Sequence, residues 1–335
     1  MEQSPPRASR VSFRQATLFW LRLGFISFGG PSGQIAVMHQ ELVERRRWIS
    51  NERFLHALNY CMLLPGPEAQ QLAIYAGWLL HRTWGGLVAG GLFVLPGALV
   101  MLVLSWVYAA HGTLASVGAI FHGLRAAVLA IVVVAVIRIG AKALRHPALV
   151  ALAASAFVAI FFFRVPFPAI VLGGAVIGWA GGRLWPDVFR SPEKVEGETH
   201  LHPGPAAPPS RWRAVKVLAA GLLLWWGPLA AVALWRGPGD VLTAEALFFS
   251  KAAMVTFGGA YAVLPYVGQA AVDHYGWLVP GQMLDGLGLA ETTPGPLILV
   301  AEFVGFLGAY RNPGDLSPLV AATLGAAVTL WATFA

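Results

Sequence analysis

Two glycine–proline motifs carry the chemistry of this sequence. FGGPSG, Phe28 to Gly33, interrupts an apolar run between TLFWLRLGFIS and IAVMHQELVERRRWIS. LLPGPEAQQ, with Pro65-Gly66-Pro67, interrupts a second. Glycine permits positive φ and close backbone approach. Pro31 fits the first turn of a resuming helix, where its missing N–H costs nothing. The N–H groups of Gly29, Gly30, Ser32 and Gly33 then point, with the positive end of the helix dipole, at an oxyanion. Pro65 and Pro67 stop one helix and Gly66 turns the chain. The next helix resumes at Glu68, where a carboxylate sits favourably beside an N-terminal dipole. One such motif is better explained as a packing kink. Two different breakers, recurring at matched spacing, favour a pocket.

Charges at membrane depth are costly and mark function. Arg22 and Lys251 each lie six residues before an FGG turn. Two cations there compensate a doubly negative ligand, which is expensive to hold in a membrane without them; snorkelling to an interface is the bland alternative. Arg125, with His122 one turn earlier, lines a pathway or packs against the polar loops. Glu68, Glu291 and Glu302 are candidates for proton handling, since a buried carboxyl can hold a proton near neutrality; Asp285 is a weaker one.

These residues sit in a chain that is 57% hydrophobic and 12% charged over 335 residues. A soluble globular chain carries about 25% charged residues. Many windows of about 20 residues lack any charge, the length that crosses a bilayer as a helix. The expected class is an all-α polytopic membrane protein. The polar, basic N-terminus shows no secretory signal. The net charge of +7 is scattered between apolar spans, which reports topology rather than nucleic acid. One cysteine, Cys61, excludes an internal disulfide and a Cys-based zinc site, and the nine histidines have no ligand spacing. No metal and no cofactor are expected, and the lipid bilayer is the implied partner.

Apolar segments read as 12–28, 54–64, 68–80, 83–109, 117–138, 147–163, 167–183, 214–235, 246–257, 282–293, 297–309 and 316–335. Residues 19–67 align with 248–296 at a constant offset of 229, without a gap, identical at 12 of 49 positions. Phe28-Gly29-Gly30 falls on Phe257-Gly258-Gly259, Trp48 on Trp277, and Pro65-Gly66-Pro67 on Pro294-Gly295-Pro296. Ser27 falls on Thr256 and Arg22 on Lys251. The identical positions include both breakers, which makes this a duplication. If each breaker is the tip of a re-entrant hairpin, 17 of the 23 Lys and Arg lie on the cytoplasmic side, in keeping with the positive-inside rule. Fully spanning first helices fit that rule less well. The expected organisation is a polar tail at 1–11, a first domain at 12–183, a cytoplasmic linker at 184–213 rich in Pro, Gly and Glu, and a connecting span plus shortened second domain at 214–335. The two repeats are inverted and carry broken, re-entrant helices, with the N-terminus and linker cytoplasmic.

SFGGPSGQIAVMHQELVERRRWIS and LNYCMLLPGPEAQQLAIYAGWLLHRTWGG resemble the N-terminal domain of the chromate ion transporter (CHR) family, two-domain type. MVTFGGAYAVLPYV and LAETTPGPLILVAEFVGF resemble its second domain. The resemblance runs from about residue 12 to the end, excluding the linker. It implies a bacterial inner-membrane protein that exports chromate, a tetrahedral dianion, on the proton motive force and confers resistance; sulfate is the competing ligand. Onto the family pattern fall Gly29, Gly30, Pro31, Pro65, Gly66, Pro67, Glu68 and Gln71. Their second-domain partners are Gly258, Gly259, Glu291, Thr292, Pro294, Gly295 and Pro296. The candidate ligand set adds Arg22, Ser27, Ser32, Gly33, Lys251, Thr256 and Thr293. Counterparts of 107–183 are absent from the second half, so a non-transporting remnant stands beside transport of chromate, sulfate or another oxyanion. An enzyme is disfavoured, because the chain shows no thiol set, haem motif or dinucleotide fingerprint. Self-association into a homo-oligomer is left open.

Overall fold

The computed structural model describes residues 11–28, 30–112, 114–189, 211–257 and 260–335. Gly29, Gly258 and Gly259, residues 1–10 of the tail and 190–210 of the linker lie outside the described residues. Every element described is helical. The chain forms two compact units, one of 1–128 with 225–335, the other of 129–224.

The first unit is built from short helices broken where glycine and proline fall. α1 (Phe13–Ile26) opens on a capping box, Ser12 with Gln15, and ends at Ser27. α2 (Gly30–His39) resumes with Gly30 at φ +67° and Pro31 in its first turn, then widens into a π-turn over Gln40–Arg45. α3 (Asn51–Leu63) is capped by the Ser50 hydroxyl and stops before Pro65. α4 (Glu68–His111) breaks at His81 and Arg82, whose φ/ψ leave the helical region, so its limbs are 68–80 and 83–111. Those are the two apolar segments the sequence spacing separated. The limbs fold back on each other because Gly77 and Gly85 bring backbones into contact; a Cβ on either would strike the other's carbonyl.

The second copy repeats this plan. After α5 (Ala115–Ala143) and α9 (Arg211–Arg236), both shared between units, come α10 (Val241–Met254) and α11 (Ala260–Gln269) with its own π-turn over Ala270–His274. α12 (Gln282–Thr292), a 3-10 turn at Leu297–Leu299, α13 (Val300–Arg311) and α14 (Pro318–Phe334) complete it. The correspondence extends to single residues at the 229 offset. Gly66 has φ +109° and Gly295 +102°; Arg47 has φ +52° and Gly276 +65°.

The long limb of α4 shows that the copies are inverted. Near its start, Phe13 packs on His81 with ring centroids 5.4 Å apart. Further along, Gly24 of α1 lies against the Leu92 carbonyl and Pro96. At Gly97 the neighbour becomes the Pro294 carbonyl of copy two, and beyond it Tyr108 donates to Asp285 (2.8 Å) and packs on Phe303. Copy one therefore enters from the end where residue 83 lies and copy two from the end where 111 lies. α1, with 14 residues, is about 21 Å long, short of the roughly 30 Å apolar thickness of a bilayer. Among the described residues, four stretches are long and apolar enough to cross: Glu68–His111, Val117–Ala141, Phe167–Leu184 and Arg211–Arg236.

The unit of 129–224 contains α6 (Pro147–Phe161), α7 (Phe167–Leu184) and a short α8 (Pro186–Phe189). Gly181 leaves room for the Phe189 ring, and Arg183 lies 4.0 Å over Trp179. Its exposed Phe157, Phe161, Phe162 and Trp179 suit contact with lipid chains.

At the entry edge of copy one, the Glu41 carboxylate bonds Arg45 (2.7 Å) and Arg46 (3.1 Å). Burial alone would raise Glu41, but the two arginines outweigh it and hold it below its ordinary 4.5. A depressed acid stabilises the fold above its unfolded value, and that contribution is lost as pH falls through the folded one. Melting temperature in detergent is therefore expected to drop as pH falls below about 4.5, by less in Glu41→Gln than in the native chain.

Candidate functional site

The tips of the four hairpins meet. The Gly66 N–H donates to the Thr256 carbonyl and the Gly295 N–H to the Ser27 carbonyl, both at 2.8 Å. These are one bond repeated at the offset, each joining a PGP turn of one copy to the helix end before the FGG turn of the other. Gln34 Nε2 adds a bond to the Gly295 carbonyl at 2.6 Å. Positive φ at Gly66 and Gly295 aims these N–H groups across the copy boundary. Helix C-terminal carbonyls are thereby satisfied, and the N-terminal ends are left facing inward.

What they face is a cavity of about 20 Å³ lined by Pro31 and Gln34 of α2, Pro67 to Ala69 opening α4, Thr256, Ala260 opening α11, and Pro296 to Ile298 opening the 3-10 turn. Four helix starts converge on it, each with first-turn N–H groups that have no intrahelical partner. Glu68 is the one acid in its lining. Around the tips, Ser27 Oγ, Gln34 Oε1 and Gln71 Oε1 are buried with no hydrogen-bond partner among the described residues. The Ser27 hydroxyl can donate to an anionic ligand beside the convergent dipoles, whereas the two amide oxygens only accept and suit water or a protonated group. The space holds about one water, so a tetrahedral oxyanion enters only when the tips part.

The candidates from sequence divide. Ser27, Gly30, Pro31, Pro65, Gly66, Pro67, Glu68, Gln71, Thr256, Pro294, Gly295 and Pro296 gather at the tips or in the turns that form them. Gly66 and Gly295 give their N–H groups to the other copy, so they shape the site rather than present donors to it. Gly33 sits one turn into α2, where a Cβ would come within 2.8 Å of the Phe28 carbonyl. Ser32 and Thr292 are exposed, and Thr292 and Thr293 turn their hydroxyls onto carbonyls of their own helix. Glu291 accepts from the Tyr261 hydroxyl. Glu302 is 1% exposed.

Arg22 and Lys251 are exposed and do not line the tip cavity. Arg22 instead lines a wider cavity of about 620 Å³ with Gln15, Phe19, Arg46 and Trp48. There the Arg46 guanidinium lies 4.9 Å from the Phe19 ring and 5.0 Å from Trp48. In copy two Tyr275 takes the place of Arg46, stacked 4.2 Å from Trp277. Arg125 is held by Asp285 through two bonds, Nε to Oδ1 at 2.5 Å and Nη2 to Oδ2 at 2.7 Å. His122 is exposed. Sequence reasoning missed Gln34, although a glutamine one turn after Gly30 in an apolar stretch was a usable signal, and it missed Glu245, which is 0% exposed. Among the described residues no cluster of His, Cys, Asp and Glu suits a metal.

The Chromate transporter family model matches residues 14–179 and 244–335. The chain belongs to this family. It is 36% identical over 309 residues to a chromate transport protein of Pseudomonas aeruginosa, covering 89% of this chain and 67% of that one. It is 30% identical over 333 residues to a chromate transport protein of Cupriavidus metallidurans, covering 98% and 72%. A probable chromate transport protein of Synechococcus elongatus is 31% identical over 299 residues, covering 88% and 69%. No solved structure matches. Family membership and the four apolar crossing stretches make the chain a multi-pass membrane protein of a transporter family.

Proposed function

We propose that this protein exports chromate from the cytoplasm across the bacterial inner membrane in exchange for protons, conferring resistance, and that it is not an enzyme. The observation that carries the reading is the convergence of four helix starts on one cavity where the inverted copies meet. Chromate is held there by first-turn N–H groups of α2, α4 and α11, with the Ser27 hydroxyl as a neutral donor. Glu68 exchanges a proton at the same cavity, so that anion and proton occupy it in turn. Arg22 and Arg46 collect the anion at the mouth of copy one, and the replacement of Arg46 by Tyr275 leaves copy two without that charge. The basic residues of the 45–53 turn favour a cytoplasmic position for the copy-one mouth, with the N-terminus and linker on the same side. Collection and release then differ in charge in the sense that export needs. Backbone N–H groups serve sulfate as well as chromate, so sulfate competes.

The test is chromate accumulation in everted membrane vesicles, with and without a proton gradient and excess sulfate. Uptake is expected to depend on the gradient and to fall at least tenfold in Glu68→Gln. Arg22→Ala is expected to raise the apparent KM about tenfold, the loss of about 1.4 kcal/mol of anion attraction. Gradient-independent uptake, or none, overturns the reading.

A further inference from the structure

Copy two contains a line of buried polar groups that the tip cavity does not use. Glu245, on α10, is wholly buried; the Ala309 backbone N–H is its nearest donor, but neither carboxyl oxygen makes a hydrogen bond of good geometry. It fills a notch between two glycines. A Cβ on Gly308 would lie 2.7 Å from Glu245 Oε1, and one on Gly325 would lie 2.8 Å from Oε2. Deeper along the same helix pair, the Thr329 hydroxyl lies over Gly305, buried and without a partner. Deeper again come Thr333 and Glu302, whose hydroxyl and two carboxyl oxygens are likewise buried and unpartnered. Helix periodicity places Gly325, Thr329 and Thr333 on one face of α14, and Glu302, Gly305 and Ala309 on one face of α13. Those faces meet, since Gly325 lies against Ala309 and the Gly305 carbonyl.

The line has two ends. At one, α10 begins at Asp240, which bonds Arg236 (3.0 Å), and Arg236 also pairs with the exposed Asp315. This ion cluster lies in the loops, where the hydrogen bond from Arg236 holds Asp315 below the usual carboxylate range. At the other end, Glu302 follows closely on Leu297 and Ile298, which line the tip cavity. From Gly308 to Glu302 is about 9 Å along α13.

An ionised carboxylate buried without donor or cation is costly. Among the described residues, the charged groups around the line are engaged elsewhere. Arg236 holds Asp240 and Asp315, Arg311 donates to the Trp277 carbonyl, and Arg125 and Tyr108 hold Asp285. Glu291 takes the Tyr261 hydroxyl, Lys251 is exposed, and Glu68 lies at the cavity itself. None of the cations forms an ion pair with Glu245 or Glu302.

We propose that Glu245, Thr329 and Glu302 form a proton path between the face where α10 begins and the tip cavity. It rests on the proton coupling proposed above and assigns the route. Both acids hold a proton at rest. Glu302 gives its proton toward the cavity and is reprotonated as the Thr329 hydroxyl releases its own and takes the Glu245 proton, and Glu245 then regains a proton from water, so one O–H bond forms for each that breaks. Because these oxygens have no hydrogen-bond partner, each transfer between them passes through a water molecule that bridges the gap. Copy one cannot support this route, because Ala16 and Ala73 occupy the positions of Glu245 and Glu302 at the repeat offset.

The experiment uses the full chain in liposomes, reading chromate uptake with and without a pH gradient alongside infrared absorption of protonated carboxyls. In the native chain the gradient is expected to raise uptake at least tenfold. In Glu245→Gln and Glu302→Gln that ratio falls to about one and each loses one protonated-carboxyl band; a merely structural role lowers both arms together. Thr329→Val is expected to lower the ratio and Thr329→Ser to keep it, which tests the route should the glutamine variants not fold. A native chain that responds to the gradient together with glutamine variants that respond equally overturns the path and leaves the coupling. A native chain that ignores the gradient overturns the coupling and the path with it. Uptake that follows a sodium gradient and is lost in Glu245→Gln makes the notch a cation site and also overturns the path.

Discussion

Gly295→Ala is expected to destabilise the protein by about 2–4 kcal/mol and to lower transport at least tenfold, with Gly66→Ala losing less in both measures. Each glycine holds φ above +100°, where a side chain costs about 1–2 kcal/mol. The neighbours differ. A Cβ on Gly66 meets the end of the Gln71 side chain at 3.1 Å, which can move at the cost of its bond to the Pro65 carbonyl. A Cβ on Gly295 meets Leu299 at 2.9 Å and the Gly97 Cα at 3.4 Å, in a contact where Gly97 already lies against the Pro294 carbonyl. Crowding of this kind adds about 1–3 kcal/mol. Thermal unfolding in detergent and vesicle uptake measure the two effects. Equal losses at both glycines would mean that left-handed backbone strain alone matters and that the packing of α4 against the copy-two tip does not.

The second large effect lies at Arg125 and Asp285. Removing the cation as Arg125→Met leaves a carboxylate that is 1% exposed with Tyr108 as its remaining donor. Breaking a buried pair in this way costs about 3–5 kcal/mol. Removing the anion as Asp285→Asn leaves a side chain that is 37% exposed and able to turn toward other partners, so about 1–2 kcal/mol is expected. The double variant Arg125→Met with Asp285→Leu is expected to lie within about 1 kcal/mol of the native chain, because no unpaired charge is left. A double variant that loses the sum of the single losses would show the two residues to be uncoupled.

Much of the backbone plan was legible because it is written locally. Proline, glycine and apolar period marked the ends of α1, α3 and α10, and the spacing of 68–80 from 83–109 marked the break at His81–Arg82. The duplication was legible because both breakers recur at one offset. What local pattern does not encode is which groups answer each other across the repeat. The bond from Gly66 to Thr256 and the pair of Arg125 with Asp285 join residues well over a hundred apart. Sequence reasoning could place Arg22 before a tip but not decide that its side chain lines the outer cavity with Arg46. Glu245 escaped because its counterpart, Ala16, is featureless, and a lone glutamate in the first turns of a helix reads as solvent-facing. Its burial follows from Gly308 and Gly325, which lie far away in sequence and open a notch for it.

The paired tip bonds also set a timetable for biosynthesis. Gly66 leaves the ribosome about 190 residues before Thr256, and Ser27 waits longer still for Gly295. At about 5–20 residues per second that is roughly 10–40 s. Throughout that interval the first pair of hairpins sits in the membrane with two backbone groups lacking their eventual partners, where each such gap is costly. The first repeat is therefore a nascent guest of the insertion machinery, sheltered by it or by lipid headgroup water until its twin emerges to close the clasp.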